Sequence, residues 1–142
     1  MHQVSDNVTL GLLCSDSARA ELDAAPEVNA VVGVRLAPNG SRDDAVRARA
    51  ITSLLSRTSP DIALIPSSWS WAPAAASAAV SNDMHLASDC IELDTAEDGS
   101  LLAQRPIYGE KLLSELCLPN DKAAMVLIKE GCWPTAELVA GK

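Results

Sequence analysis

Serines with the chemistry to bind an anion or a nucleotide follow two apolar runs of the sequence. Ser15 and Ser17 come after the first of these runs, and Ser67 and Ser68 come after the third. If both runs are parallel strands, the two loops open at the carboxyl edge of one sheet, where ligands of such folds bind. The four serines would then suit an adenine nucleotide such as AMP. Serine also caps helices and fills turns, and the chain lacks a glycine-rich phosphate cradle, so a purely structural role is the competing interpretation.

Nucleophilic and metal chemistry find little support in the sequence. Only two histidines are present, His2 and His85, and a hydrolytic triad needs one of them beside a nucleophile such as Ser67 or Cys90. The GxSxG elbow is absent. The four cysteines are far apart and form no CxxC pair, the spacing that metal sites usually show. We therefore predict no catalytic residue, no metal site, and cysteines that are reduced and structural.

Four further side chains are candidates for an interface with another protein. Trp69 and Trp71 are conspicuous in a chain with no Phe and a single Tyr. Exposed tryptophans are typical binding anchors, whereas buried ones belong to the core. Arg105 precedes a proline at the end of a predicted strand and can hold a carboxylate through two hydrogen bonds. Tyr108 follows it. We assign these four residues to an interface rather than to catalysis, and for Tyr108, the only Tyr, packing beneath the same loop is the favoured alternative.

The elements that would position these residues alternate through the first two thirds of the chain. Apolar runs predict strands at residues 8–14, 30–36 and 61–66, a short helix at 18–25, and a helix at 73–80. A longer amphipathic helix should begin at Ser41 as its cap, with its arginines mainly on the solvent side. This alternation predicts a parallel sheet covered by helices.

The last third has a different pattern. Residues 90–94 and 100–105 flank a turn at residues 97–99 and predict an antiparallel hairpin. Residues 111–118 fit a strand or a helix, and residues 123–128 fit a buried strand. We predict one domain over residues 1–142, of α/β class, three-layered, with a mainly parallel sheet and an antiparallel extension.

Several stretches, in this order, resemble the N-terminal domain of the electron-transfer flavoprotein α subunit. They are SPDIALIP at 59–66, APAAA at 72–76, LASDCIEL at 86–93, LAQRPIYG at 102–109 and MVLIK at 125–129. The most specific is the Arg-Pro-Ile-Tyr-Gly run. Ala74 and Lys129 stand where the family pattern has arginines.

The resemblance implies an adenine nucleotide α-hydrolase-like fold and an accessory role. In that family the α N-terminal domain is a scaffold, and the following α-subunit domain holds most of the flavin contacts. The sequence ends at Lys142, so we expect no cofactor on this chain alone, with FAD or AMP in a partner subunit. The implied partners are an electron-transfer flavoprotein β-like or flavin-domain subunit and a flavoprotein dehydrogenase. The alternative is an adenine-nucleotide-binding domain of the same superfold.

Charge and hydropathy bear on whether the protein binds nucleic acid, spans a membrane or is secreted. The formal net charge is −8 and the basic residues are scattered, which does not fit nucleic-acid binding. No apolar run reaches the roughly 18 residues of a membrane span. The first residues lack the pattern of a signal peptide, so a cytoplasmic location is the default expectation.

Overall fold

The computed structural model of the chain describes residues 7–14, 30–36 and 43–133. Ser15, Ser17, the predicted helix at 18–25 and the proposed cap Ser41 lie outside these residues. Ten elements occur in the described part: β1 (Thr9–Cys14), β2 (Ala30–Arg35), α1 (Asp44–Thr58), β3 (Ile62–Pro66), α2 (Ala72–Ser81), β4 (His85–Cys90), β5 (Glu92–Thr95), β6 (Leu101–Ile107), β7 (Leu112–Leu118) and β8 (Ala124–Ile128).

The strands form three sheets within these residues. β1 and β2 pair in parallel, β3, β8 and β4 form a parallel sheet in that order, and β5, β6 and β7 form an antiparallel sheet. The α/β class with mainly parallel strands and an added antiparallel unit is confirmed. The segment at 111–118, which fitted either element, is a strand.

Helix α1 begins later than the serine cap would place it. Asp43 caps it, because its side chain accepts from the backbone N–H of Ala45 at 2.8 Å and of Val46 at 3.3 Å. Such a cap satisfies donors that have no partner inside the helix. The helix ends at Ser59, which takes a left-handed conformation with φ of 43°.

Successive side chains of β8 point to opposite faces of the sheet and belong to two different hydrophobic cores. Met125 and Leu127 pack with α1 and α2. Ala124 and Val126, which point to the opposite face, pack with the antiparallel sheet. The antiparallel strands therefore cover the second face of the parallel sheet instead of lengthening its edge, and the described body has a helix layer, a parallel sheet and an antiparallel sheet.

One strand of the parallel sheet was not predicted from the apolar pattern. The sequence predicted a hairpin strand at residues 90–94 and no strand before it, whereas β4 ends at Cys90 and β5 begins at Glu92. Asp89 has a φ of 57°, a conformation that bends the chain and that non-glycine residues seldom adopt. The bend lets β4 stay in the parallel sheet while β5 joins the antiparallel one.

Candidate functional site

The carboxyl edge of the parallel sheet gathers the loops that follow β3, β4 and β8. The backbone ties them together: Ser67 N–H donates to the Ile128 carbonyl at 2.8 Å, and Lys129 N–H donates to the Cys90 carbonyl at 2.8 Å. The turn joining β6 to β7 meets the same edge, because its Glu110 contacts Lys129. Four separate segments of the chain thus meet here.

A serine–aspartate pair links the first two of these loops. The Ser67 hydroxyl donates a hydrogen bond to the Asp89 carboxylate. Ser67 was predicted at this edge, and the structure places it there. Asp89 was not predicted, since nothing in the sequence shows that the bend after β4 brings it beside the loop after β3. The pair joins the two loops, and the described histidine, His85, does not lie beside Ser67.

The rest of the loop after β3 is held by a hydrogen bond within the loop and by Arg47 of helix α1. Ser68 and Ser70 share a hydrogen bond between their hydroxyls at 3.1 Å. The Arg47 guanidinium donates to the Ser70 carbonyl and lies over the Trp71 ring, 5.3 Å from its centre. It also pairs with Asp44 at 2.9 Å. Arg47 is only 9% exposed, which corrects the expectation that it lies on the solvent side of the helix.

The two tryptophans of this loop have different environments. Trp69 is 99% exposed, whereas Trp71 packs against the helix-side core and beneath Arg47. In an extended segment, residues two apart point to the same side. The loop forms a turn leading into α2 instead of an extended segment, and this separates them.

The start of α2 offers few donors to an anion. The Ala72 N–H bonds to the Ser68 carbonyl at 2.9 Å, and the Ala75 N–H bonds to the Trp71 carbonyl at 2.9 Å. Pro73 has no N–H. The helix terminus beside Ser67 and Ser68 is therefore a poor phosphate cradle, and the weak nucleotide-site prediction for these serines gains nothing from its geometry.

Arg105 lies partly buried on the side of β6 that faces β4. Its Nη1 donates to the Ser88 hydroxyl at 3.2 Å, and its buried Nε has no hydrogen-bond partner among the described residues. Its positive charge opposes, but does not cancel, the effect of burial on Cys90, and desolvation raises the pKa of that thiol. Arg105 thus has a structural contact at the sheet edge.

The turn from β6 to β7 projects at the same edge. Tyr108 is 77% exposed and has a φ of 50°, and Gly109 and Glu110 are also in positive-φ conformations. Glu110 anchors the turn through its ion pair with Lys129. The hydrogen bond between them lowers the pKa of Glu110 and raises that of Lys129. Lys129 stood out in the sequence only as a replacement for an arginine, and Glu110 gave no signal.

The histidine of β4 is far from these groups. His85 starts the strand that Cys90 ends, so the two are separated by roughly 16 Å at 3.3 Å per residue. Its Nε2 lies 2.6 Å from an Asp121 oxygen, and this hydrogen bond lowers the pKa of Asp121. His85 therefore cannot act on Ser67 or Cys90.

The part of the chain that the structure describes offers neither a membrane-spanning helix nor a metal-binding cluster. No helix there is long and apolar enough to cross a membrane. No group of three or more His, Cys, Asp or Glu side chains in those same segments could hold a metal ion.

A helix-covered parallel sheet with a second, antiparallel sheet and loops gathered at its carboxyl edge defines the described part of the chain as an α/β domain. The family model of the electron transfer flavoprotein domain matches residues 5–142. The chain belongs to this family.

Curated relatives agree with this assignment. The chain is 32% identical over 89 residues to Protein FixB of Azorhizobium caulinodans, covering 63% of this chain and 24% of the relative. It is 31% identical over 86 residues to Protein FixB of Bradyrhizobium diazoefficiens, covering 61% and 23%. The chain therefore spans about a quarter of the length of these relatives.

Proposed function

We propose that this domain is an accessory scaffold subunit of an electron-transfer flavoprotein-type complex, of the α N-terminal kind, and that a partner subunit holds the FAD. The family membership and the FixB relatives support an electron-transfer role. The observation that carries the scaffold assignment is the pair of exposed aromatic side chains, Trp69 and Tyr108, at an edge where the neighbouring polar groups already pair with one another.

Two cavities of the described part are too small for a flavin. Two cavities in the described part have volumes of about 70 and 160 Å³, whereas pockets for ligands of this class measure roughly 300–1,000 Å³. The smaller cavity is lined by Glu92, Asp94 and Glu115, and these carboxylates would repel a pyrophosphate.

The exposed aromatics supply the binding energy that a docking edge needs. Large amphipathic rings at the centre of an interface bury much apolar area at small entropic cost. Trp69 and Tyr108 are carried by different loops, one after β3 and one after β6. The Glu110–Lys129 ion pair fixes the second loop relative to the sheet. The edge can therefore present both rings in a defined arrangement.

Absorption spectroscopy and affinity measurements test this assignment. The purified chain should show no flavin absorbance, and the complex with the β-like and flavin-domain chains of the same organism should show it. Trp69→Ala and Tyr108→Ala should each weaken that complex by about 30-fold, the effect of an interface residue worth about 2 kcal/mol. Val80→Ala is the control, because Val80 is 79% exposed and lies at the end of α2.

Three outcomes would count against the proposal. Flavin that co-purifies with the lone chain would place the cofactor on this domain. If Trp69→Ala, Val80→Ala and the unaltered chain bound the partner chains with equal affinity, Trp69 would not belong to the interface. A rise in melting temperature with millimolar AMP would favour the nucleotide-binding alternative.

A further inference from the structure

The Arg105 guanidinium has no carboxylate partner in the part of the chain that the structure describes. Its Nη1 donates to the Ser88 hydroxyl at 3.2 Å, and its Nε is buried without an acceptor. The ion pairs of the described residues join other side chains. A serine hydroxyl is neutral, so this hydrogen bond satisfies one donor of the guanidinium but leaves its positive charge unbalanced.

The groups around Arg105 do not supply the missing negative charge. The Asp89 carboxylate accepts the hydrogen bond from Ser67, and the carboxylate in the β6–β7 turn pairs with Lys129. Cys90 is close enough for the guanidinium to affect its titration, but burial raises the pKa of this thiol, which is therefore neutral at physiological pH. The charge on Arg105 thus stays unbalanced in the domain as it stands alone.

A half-buried charge without a counter-ion is costly. Arg105 is only partly exposed, so its guanidinium has lost part of its hydration, and buried charges in proteins are normally paired. A neutral side chain of similar length would fill the same space at lower cost. The planar fork of arginine matches a carboxylate, which can accept two parallel hydrogen bonds from it. The position therefore fits a carboxylate that arrives from another protein.

Arg105 lies where a docked protein can supply that carboxylate. It stands on the side of β6 that faces β4, and the exposed Tyr108 begins the turn that follows the same strand. Because the Nε is enclosed, an incoming oxygen can reach only the terminal nitrogens of the guanidinium. Aromatic rings buried in the same interface would exclude water from the ion pair, and this strengthens the attraction.

We propose that a carboxylate side chain of the partner subunit pairs with Arg105 when the edge that carries Trp69 and Tyr108 docks. The inference rests on the proposed function, because the partner subunit of that complex is the source of the carboxylate. The chain has a formal net charge of −8, so it does not attract an acidic partner over long distances. The contact therefore acts at short range, and its loss should speed dissociation more than it slows association.

Removal of the charge separates this role from a structural one. Arg105→Met keeps a long side chain and removes the guanidinium. The melting temperature of the chain alone should not fall, because no ion pair within the chain is lost. The affinity for the β-like and flavin-domain chains of the same organism should fall about 30-fold, mainly through faster dissociation, as biolayer interferometry measures. Arg49→Met is the control, because Arg49 is exposed on α1 and the variant makes the same charge change.

Chemical cross-linking identifies the carboxylate. Arg105→Lys places a primary amine at this position, and a water-soluble carbodiimide joins an amine to a carboxylate that contacts it. In the complex, peptide mass spectrometry should find the new amine joined to an aspartate or glutamate of the partner subunit. The ion pair of Lys129 and Glu110 is the internal control, since the same reagent should link these two side chains within the chain.

Three results would overturn the inference. A melting temperature of Arg105→Met several degrees below that of Arg49→Met would show that the guanidinium is already paired within the chain. A cross-link from the Arg105→Lys amine to a carboxylate of this chain would show the same directly. A clear product of Lys129 with Glu110, and none from the Arg105→Lys amine, would show that no carboxylate contacts this position.

Failure of this inference is distinguishable from failure of the proposed function. If Trp69→Ala weakens the complex while Arg105→Met and Arg49→Met dissociate at equal rates, the edge docks without an ion pair at Arg105, and only the inference is wrong. If the chain forms no complex with those partner chains, both are wrong.

Discussion

Asp89 shows how single residues join the elements of this molecule. Its φ of 57° costs roughly 1 kcal/mol in a non-glycine residue. The same conformation turns the chain out of β4 and places the carboxylate where the Ser67 hydroxyl donates to it. Positive-φ residues also occur at Tyr108 and Glu110. Strained residues concentrate at sites of recognition, and three of the five described non-glycine residues with positive φ, Asp89, Tyr108 and Glu110, lie at the edge where we propose docking.

Cysteine reactivity follows from burial at the same edge. Cys90 is fully buried, and desolvation raises the pKa of its thiol, so less thiolate is present at any given pH. Cys117 and Cys132 are exposed. Iodoacetamide at neutral pH should therefore modify Cys117 and Cys132 at least about tenfold faster than Cys90, as read by peptide mass spectrometry.

Denaturant is the control for that experiment. All three thiols should react at similar rates in the unfolded chain, because the difference comes from folding. Fast modification of Cys90 in the native protein would show that the packing between β4 and β6 opens readily, which contradicts a rigid sheet edge.

At the scale of elements, Arg47 couples helix α1 to the loop before α2. Its guanidinium has the Ser70 carbonyl, the Asp44 carboxylate and the Trp71 ring around it. Arg47→Ala should lower the free energy of unfolding by about 1–3 kcal/mol, because it removes charged hydrogen bonds and a cation–π contact. Denaturant unfolding measures this loss, and a red shift of tryptophan emission should report the exposure of Trp71.

Arg49 provides the matched control on the same helix. It is exposed, so Arg49→Ala should change the stability by no more than about 0.5 kcal/mol. Equal effects of the two substitutions would mean that helix propensity, and not the contact with the loop, accounts for the loss.

The hairpin of β5 and β6 depends on a glycine at its turn. Gly99 has a φ of 82°, and a Cβ there would lie 2.7 Å from the side-chain nitrogen of Asn120, which donates to the Asp98 carbonyl at 3.3 Å. Gly99→Ala should therefore cost about 1–2 kcal/mol from backbone strain, plus the loss of that hydrogen bond. Gly109→Ala separates the two causes, since Gly109 has a φ of 63° but open space around it.

Thermal or denaturant unfolding of both variants gives the comparison. Gly109→Ala should show the strain alone and Gly99→Ala a larger loss. If Gly109→Ala lowered the free energy of unfolding more than Gly99→Ala, the contact with Asn120 would not explain the loss. The turn between β6 and β7 would then be the more constrained of the two turns.

The elements were largely predictable, because each leaves a local signal. The apolar runs gave β1, β2, β3 and β8 within one residue at each end, the 3.6-residue periodicity gave α1, and the Glu-Asp-Gly turn gave the hairpin. Strand β4 was missed, and the hairpin strand was expected at 90–94 where the structure has β5 at Glu92–Thr95, since tertiary pairing decides where these strands begin and end. Arg47 was misplaced for the same reason: its partners Ser70 and Trp71 are distant in sequence.

The candidate site was predictable only in part. Ser67 was expected at the carboxyl edge because strand ends can be read from sequence. Asp89, Lys129 and Glu110 come together through sheet pairing, which the sequence does not display. The family resemblance is confirmed, while the α N-terminal assignment and the roles of Trp69, Trp71, Arg105 and Tyr108 stay proposals.

At the scale of the whole molecule, β8 connects both cores. It lies between β3 and β4, and its side chains alternate between the helix layer and the antiparallel sheet. Met125 and Val126 are both fully buried, one on each side. Interiors at crystal-like packing density transmit a change on one face to the other, so the two layers should unfold together.

Truncation of one side of β8 tests this coupling. Met125→Ala removes contacts only on the helix side and should lower the free energy of unfolding by about 2–5 kcal/mol. If β8 joins the layers, amide hydrogen exchange should accelerate by similar factors in α1 and in β6, although β6 lies on the other face. Val80→Ala is the control, because it truncates an exposed apolar side chain and should leave exchange in both elements unchanged. Accelerated exchange in α1 with full protection in β6 would show that the layers unfold separately, and the antiparallel sheet would then be an independent unit.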